Sequence, residues 1–170
     1  MSTRGQVEVA VPVRASAQAV WDAVTDWPAQ GEWMTATRVR AVDGDGRGVG
    51  GRIEAFTGLG GFGFLDTMVV TQWRPPARCA VLHTGRVLRG TGEFAIEDAP
   101  SPGRRGGGAG VRLVWREELD LPGGIAGALG WRVLRPLVRL AVGRSLTRLA
   151  RSVERGESGG RGGQAAASPR

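Results

Sequence analysis

From Gln6 to Val13 apolar and polar positions alternate strictly. Val7, Val9, Val11 and Val13 share one face, and Gln6, Glu8 and Ala10 share the other. A period of two is that of a half-buried strand. Ser16 then stands where a helix cap belongs. Val20, Trp21 and Val24 follow with the spacing of a short amphipathic helix that starts at Ala17. Pro28 and Gly31 interrupt it and leave a second helical turn anchored by Trp27 and Trp33. Between residues 35 and 121 six further runs read as strands: TRVRAV, RIEAFT, LDTMVVTQW, RCAVLHT, LRGTGEFAIE and VRLVWREELDL. Their connections are mostly short, which predicts an antiparallel meander without crossovers.

The period changes at residue 123. The stretch 123–155 is a long helical pattern with arginines on two faces. Arg132, Arg135 and Arg139 share one; Arg144, Arg148, Arg151 and Arg155 share another, nearly opposite. The apolar partners shift with them, from Val133, Leu137 and Leu140 to Leu146, Leu149 and Val153. A straight helix cannot bury both of these stripes in one core, so a bend or break is predicted near Gly143, with Pro136 as the second candidate. Beyond Gly156, ESGGRGGQAAASPR is low in complexity and predicts disorder. The chain thus divides into a single domain, 1–155, and a tail, 156–170.

One motif tests the function classes early. TGLGGFGF places Gly58, Gly60 and Gly63 at the spacing of a dinucleotide-binding loop. That loop must open into a helix whose N-terminus receives phosphate. Here it opens into the strand-like LDTMVVTQW, closed by Pro75-Pro76. A flexible, glycine-rich hairpin loop is the expectation, and no cofactor is expected.

Composition narrows the chemistry further. The 170 residues suffice for one domain with a core, and 41% are hydrophobic. No run approaches the ~18 apolar residues of a membrane span. The N-terminal segment lacks the apolar block of a secretion signal, which points to the cytoplasm. Lysine, asparagine and tyrosine are absent, and Cys79 and His83 are the only cysteine and histidine. That removes a Schiff-base lysine, a tyrosine acid, an intrachain disulfide and a Cys/His metal cluster. Cys79 and His83 on one strand would lie about 13 Å apart, too far for a nucleophile–base pair. The net charge of +7 is carried by arginine alone.

The order strand, two short helices, six strands, long helix resembles the START/Bet v 1-like (SRPBCC) superfamily, whose bacterial members include polyketide cyclase/dehydrase-like proteins. VPVRASAQAVWDAVTDWPAQGEWM carries the likeness most specifically, through Pro12, Ala15-Ser16, Val20-Trp21, Thr25-Asp26 and Trp33. VTQWRPPARCAVL and VRLVWREELDL add to it, and the match covers roughly residues 6–155. The resemblance implies an α+β helix-grip fold: a curved antiparallel sheet of about seven strands around a long C-terminal helix, with an apolar cavity between them. Members bind lipids, sterols or polyketides; a minority catalyse cyclisation, aromatisation or dehydration. Plant members carry a glycine-rich loop where DGDGRGVGG stands here. No catalytic motif carries over by position.

Alternation supplies candidate cavity residues. In VRLVWREELDL, Val111, Leu113, Trp115, Leu119 and Leu121 share a face with Glu117. A carboxylate in such company is costly unless paired, so Glu117 is a candidate acid, base or ligand anchor; alternatively it reaches water or pairs with an arginine. His83 points inward if Cys79 and Val81 do, and outward if Ala80, Leu82 and Thr84 are the inner set. Both faces are partly apolar, so alternation leaves the choice open. If His83 and Glu117 both point inward and meet, they form an acid/base dyad. Further wall candidates are Phe56, Phe64, Met68 and Phe94, with Leu129, Val133 and Leu137 from the long helix; each would serve equally well as plain core.

Three functions follow. The expected one is binding of an apolar small molecule for transport or sequestration, without catalysis. The second is a cyclase or dehydratase of polyketide-type substrates using Glu117 and His83. The third is a docking module whose basic helix meets an anionic membrane or a protein through Arg132, Arg135, Arg139, Arg144 and Arg148. No nucleic-acid partner is expected, because no aromatic stacking surface accompanies the charge.

Overall fold

A computed structural model describes residues 3–98, 110–121 and 124–164. β1 (Thr3–Val13) leads through α1 (Ala17–Val24) and α2 (Gln30–Trp33) into β2 (Thr37–Ala41), β3 (Arg52–Leu59), β4 (Phe62–Arg74), β5 (Arg78–His83), β6 (Gly90–Asp98) and β7 (Val111–Leu121). α3 (Gly124–Gln164) closes the chain. The seven strands form one sheet in the order β1-β7-β6-β5-β4-β3-β2, antiparallel at every pairing. This is the α+β helix-grip architecture, and the meander and the helix starts lie where the pattern of residues predicts. Ser16 caps α1 by accepting from the Ala19 amide.

The core lies between the sheet and the C-terminal half of α3. Leu113, Leu146, Val20 and Val24 are fully buried there. Burying each such side chain contributes about 1.5–3 kcal/mol. Leu113, expected on the cavity wall, belongs to this core instead.

α3 runs unbroken through Pro136 and Gly143, so the predicted break is absent. The reason lies in which stripe faces the sheet. Trp131, Leu134, Val138, Val142, Ser145, Leu149 and Val153 recur at intervals of three and four residues along one helix side. That single stripe serves both halves. Val133 and Leu137 instead face solvent, 75% and 62% exposed, whereas Leu134, though 51% exposed, borders the cavity. The helix also passes Gly156 and continues to Gln164, so the expected tail begins inside it. Glu157 is held there, accepting from the amide and hydroxyl of Ser16 at 2.9 and 2.5 Å. Residues 99–109 and 165–170 lie outside the described residues.

TGLGGFGF is a tight hairpin rather than a flexible loop. Leu59 pairs with Phe62, and only Gly60 and Gly61 form the turn. Both have positive φ, 58° and 89°, as a two-residue turn of the primed kind requires. The glycines open into strand β4 and not into a helix.

Candidate functional site

A cavity of about 470 Å³ separates the sheet from the N-terminal half of α3. Ile53 and Ala55 of β3, Phe64 and Met68 of β4, and Val81 of β5 supply apolar wall. Phe94 and Trp115 add aromatic wall from β6 and β7; Trp131, Leu134 and Val138 close it from α3. Trp33, Phe94 and Trp115 pack edge-on, with ring centroids 5.0–6.4 Å apart.

Three ionisable side chains meet on this wall. β5 turns Cys79, Val81 and His83 inward, and His83 is buried, its side chain 5% exposed. Its Nδ1 lies 2.7 Å from Asp66 Oδ2, and its Nε2 lies 3.0 Å from Glu117 Oε2. Trp115 Nε1 donates to the other Glu117 oxygen at 2.6 Å. Strand register explains the meeting. His83 pairs with Met68, so Asp66 sits diagonally across from it on the same face of β4. Glu117 is a whole strand further away, with β6 between. It reaches His83 because Gly92 is the intervening residue, paired with Val81 on one side and Glu117 on the other. A Cβ on Gly92 would stand 3.0 Å from both His83 Nε2 and Glu117 Oε1.

The electrostatics follow from burial and pairing. Burial alone pulls the His83 pKa down, but hydrogen bonds to Asp66 and Glu117 and their charges outweigh it and raise it to about 9. Both ring nitrogens face carboxylate oxygens, an arrangement satisfied when both carry protons. At neutral pH His83 is therefore an imidazolium held between two acids. Cys79, buried on the same strand face, has its thiol pushed up to about 12 and is no nucleophile.

Of the sequence candidates, Phe64, Met68, His83, Phe94, Trp115, Glu117 and Leu119 line the cavity. Seven do not, Val111 and Leu121 of β7 among them. Phe56 lies on the opposite face of β3 from Ile53, Ala55 and Thr57, with the Arg38 guanidinium 5.7 Å from its ring. Leu113 is core, and Leu129, Val133 and Leu137 face solvent. Asp66 was missed. Phe64 and Met68 had both been singled out, and Asp66 is the inward position between them. The period of two from Phe64 through Asp66 to Met68 and Val70 is intact, so alternation was the signal for it. Among the described residues no group of three or more His, Cys, Asp or Glu is arranged to hold a metal. Of the arginines expected to dock, Arg132, Arg135, Arg139 and Arg144 are exposed, and Arg148 donates to the Thr35 hydroxyl at 3.2 Å.

The family described as polyketide cyclase/dehydrase and lipid transport matches residues 4–154. The chain belongs to that family. Solved structures of similar fold include the ZhuI aromatase/cyclase from a Streptomyces species, at TM-score 0.65 and 18% identity, covering 90% of this chain and 95% of that one. The two-domain aromatase/cyclase StfQ of the steffimycin pathway aligns at TM-score 0.70 and 14% identity, over 92% of this chain and 52% of StfQ. Norcoclaurine synthase from Thalictrum flavum, solved with a transition-state analogue, aligns at TM-score 0.63 and 13% identity over 92% and 98%. No curated protein matches the chain in sequence. Membership of the polyketide cyclase/dehydrase family accords with a cavity for apolar small molecules. No helix among the described residues is long and apolar enough to cross a membrane.

Proposed function

We propose that this family member binds a largely apolar small molecule in the cavity and moves protons on it, as a cyclase or dehydratase does. One observation carries the catalytic part: an imidazole and a carboxylate 3.0 Å apart on the wall of an otherwise apolar cavity. Binding alone, the function favoured from sequence, needs no such pair, and burying one is costly. In a dehydration, Glu117 takes the proton alpha to a carbonyl and the C–H electrons become the new double bond. The imidazolium of His83 protonates the leaving hydroxyl, which departs as water. The proton on Glu117 then returns to His83 along their hydrogen bond, and the cluster is restored. Asp66, on the far nitrogen, orients the ring and stabilises its charge.

The test uses a β-hydroxy ketone bearing a phenyl ring, whose dehydration to benzalacetone is followed by ultraviolet absorbance. The wild-type protein should accelerate it. His83→Gln and Glu117→Gln should each remove about 10²–10⁴-fold of that acceleration while still binding the neutral dye Nile red. Equal rates in all three proteins would leave a carrier, for transport or sequestration.

A second reading concerns the outer side of α3. Leu129, Val133, Leu137 and Leu140 are exposed there beside Arg132, Arg135 and Arg139. This pattern supports docking of the helix on an anionic membrane from which apolar cargo could be collected. Anionic vesicles should then retain the protein in low salt and release it in high salt, and Arg135→Glu with Arg139→Glu should abolish retention. Retention unaffected by salt or by these changes would sink the reading.

A further inference from the structure

The chain has 23 arginines and lysines together, all of them arginine, yet among the described residues none borders the cavity. The wall's one group able to carry positive charge is His83, and it is already engaged by Asp66 and Glu117. Glu93 also borders the cavity, but its carboxylate pairs with Arg78 and, at 2.9 Å, with Arg116. His83 has both ring nitrogens committed to carboxyl groups, so the wall offers an entering anion no free counter-ion.

We infer that the site selects its ligand by charge: it takes neutral or cationic apolar molecules and rejects anionic ones, free fatty acids included. An anion entering would lose its hydration, find no free cation, and stand against two acids. A hydroxyl or an amine meets the opposite situation. Glu117 retains 15% of its side-chain surface and can accept from it. The Phe94 and Trp115 rings on the wall favour a cation near their faces. The inference rests on the proposed binding function and specifies the ligand class that the cavity accepts.

The test holds chain length constant and varies the head. Decanol, decylamine and decanoate compete with bound Nile red near neutral pH, below micelle formation. Decanol and decylamine should displace the dye, and decanoate should need at least about tenfold more. In Glu117→Gln, and separately in Asp66→Asn, that gap should narrow because decanoate competes at lower concentration. Decanoate competing within about twofold of decanol in the wild-type protein would overturn charge selection. If the protein binds neither Nile red nor decanol, the binding function itself fails, and the charge inference falls with it.

Discussion

Gly92→Ala is expected to lower the His83 pKa from about 9 toward its ordinary value of 6.5, by at least about one unit, with the fold retained. The added methyl group would stand 3.0 Å from His83 Nε2 and from Glu117 Oε1, and 3.1 Å from Glu117 Oε2. Those atoms are the ends of side chains that can swing aside. Gly92 has no positive φ, so the alanine backbone is unstrained and the cost falls on the ion pair. Separating the pair removes one of the two carboxylates that sustain the imidazolium. His83 is the only histidine, so a single imidazole NMR signal reports the titration without assignment. Dehydration of the phenyl β-hydroxy ketone should fall with it, and the thermal midpoint near neutral pH should drop by a few degrees, as about 1.4 kcal/mol per pKa unit implies. Gly92 is thus a positioning residue: it controls whether acid and base meet. A His83 signal still titrating near 9 in Gly92→Ala would show that the pair tolerates the methyl group, and the assignment would fail.

The same cluster is expected to make folding stability depend on pH in a narrow window. The folded pKa of His83 lies above its unfolded value, about 9 against 6.5. Its contribution is therefore complete below about pH 6.5 and is lost as pH rises through about 9. A difference of that size corresponds to at most about 3 kcal/mol. Urea unfolding at pH 6 and pH 9 should show a fall of that order. The fall should shrink in His83→Gln, which cannot take up the proton. Cys79 adds a further decline only above about pH 9, where the unfolded chain would ionise its thiol and the folded chain does not. A flat profile from pH 6 to 9 would mean that His83 is not held as an imidazolium.

Much of this molecule is readable from local pattern. The period-two alternation of β1 and β7, the Ser16 cap before Val20-Trp21, and the short breaks between runs depend only on neighbours in sequence. They yielded seven strands, two short helices and a long one in the right order. The inward face of β7, with Glu117 beside Trp115 and Leu119, followed from alternation alone. Helix phase was harder. Leucine, valine and arginine surround α3 on most sides of its N-terminal half, so several stripes are available there. Val133 and Leu137 look as apolar as Leu134 and Val138. Only the position of the sheet selects among them, and the selected stripe needs no bend.

What the sequence by itself determined is the set of elements and the chemistry available to them: one histidine, one cysteine, no lysine or tyrosine, and carboxylates on strands. What the tertiary structure alone decided is which of these meet. The face of β5 was undecidable because both sides are partly apolar, and the pairing of His83 with Met68 settles it inward. Asp66, His83 and Glu117 come from three strands, separated by 17 and 34 positions, and no local period links them. The meeting depends on the register of β4, β5, β6 and β7 and on a glycine at the crossing point. Register is a cooperative property of the whole sheet, set by burial of its inner face, so it appears only when the sheet has closed on α3.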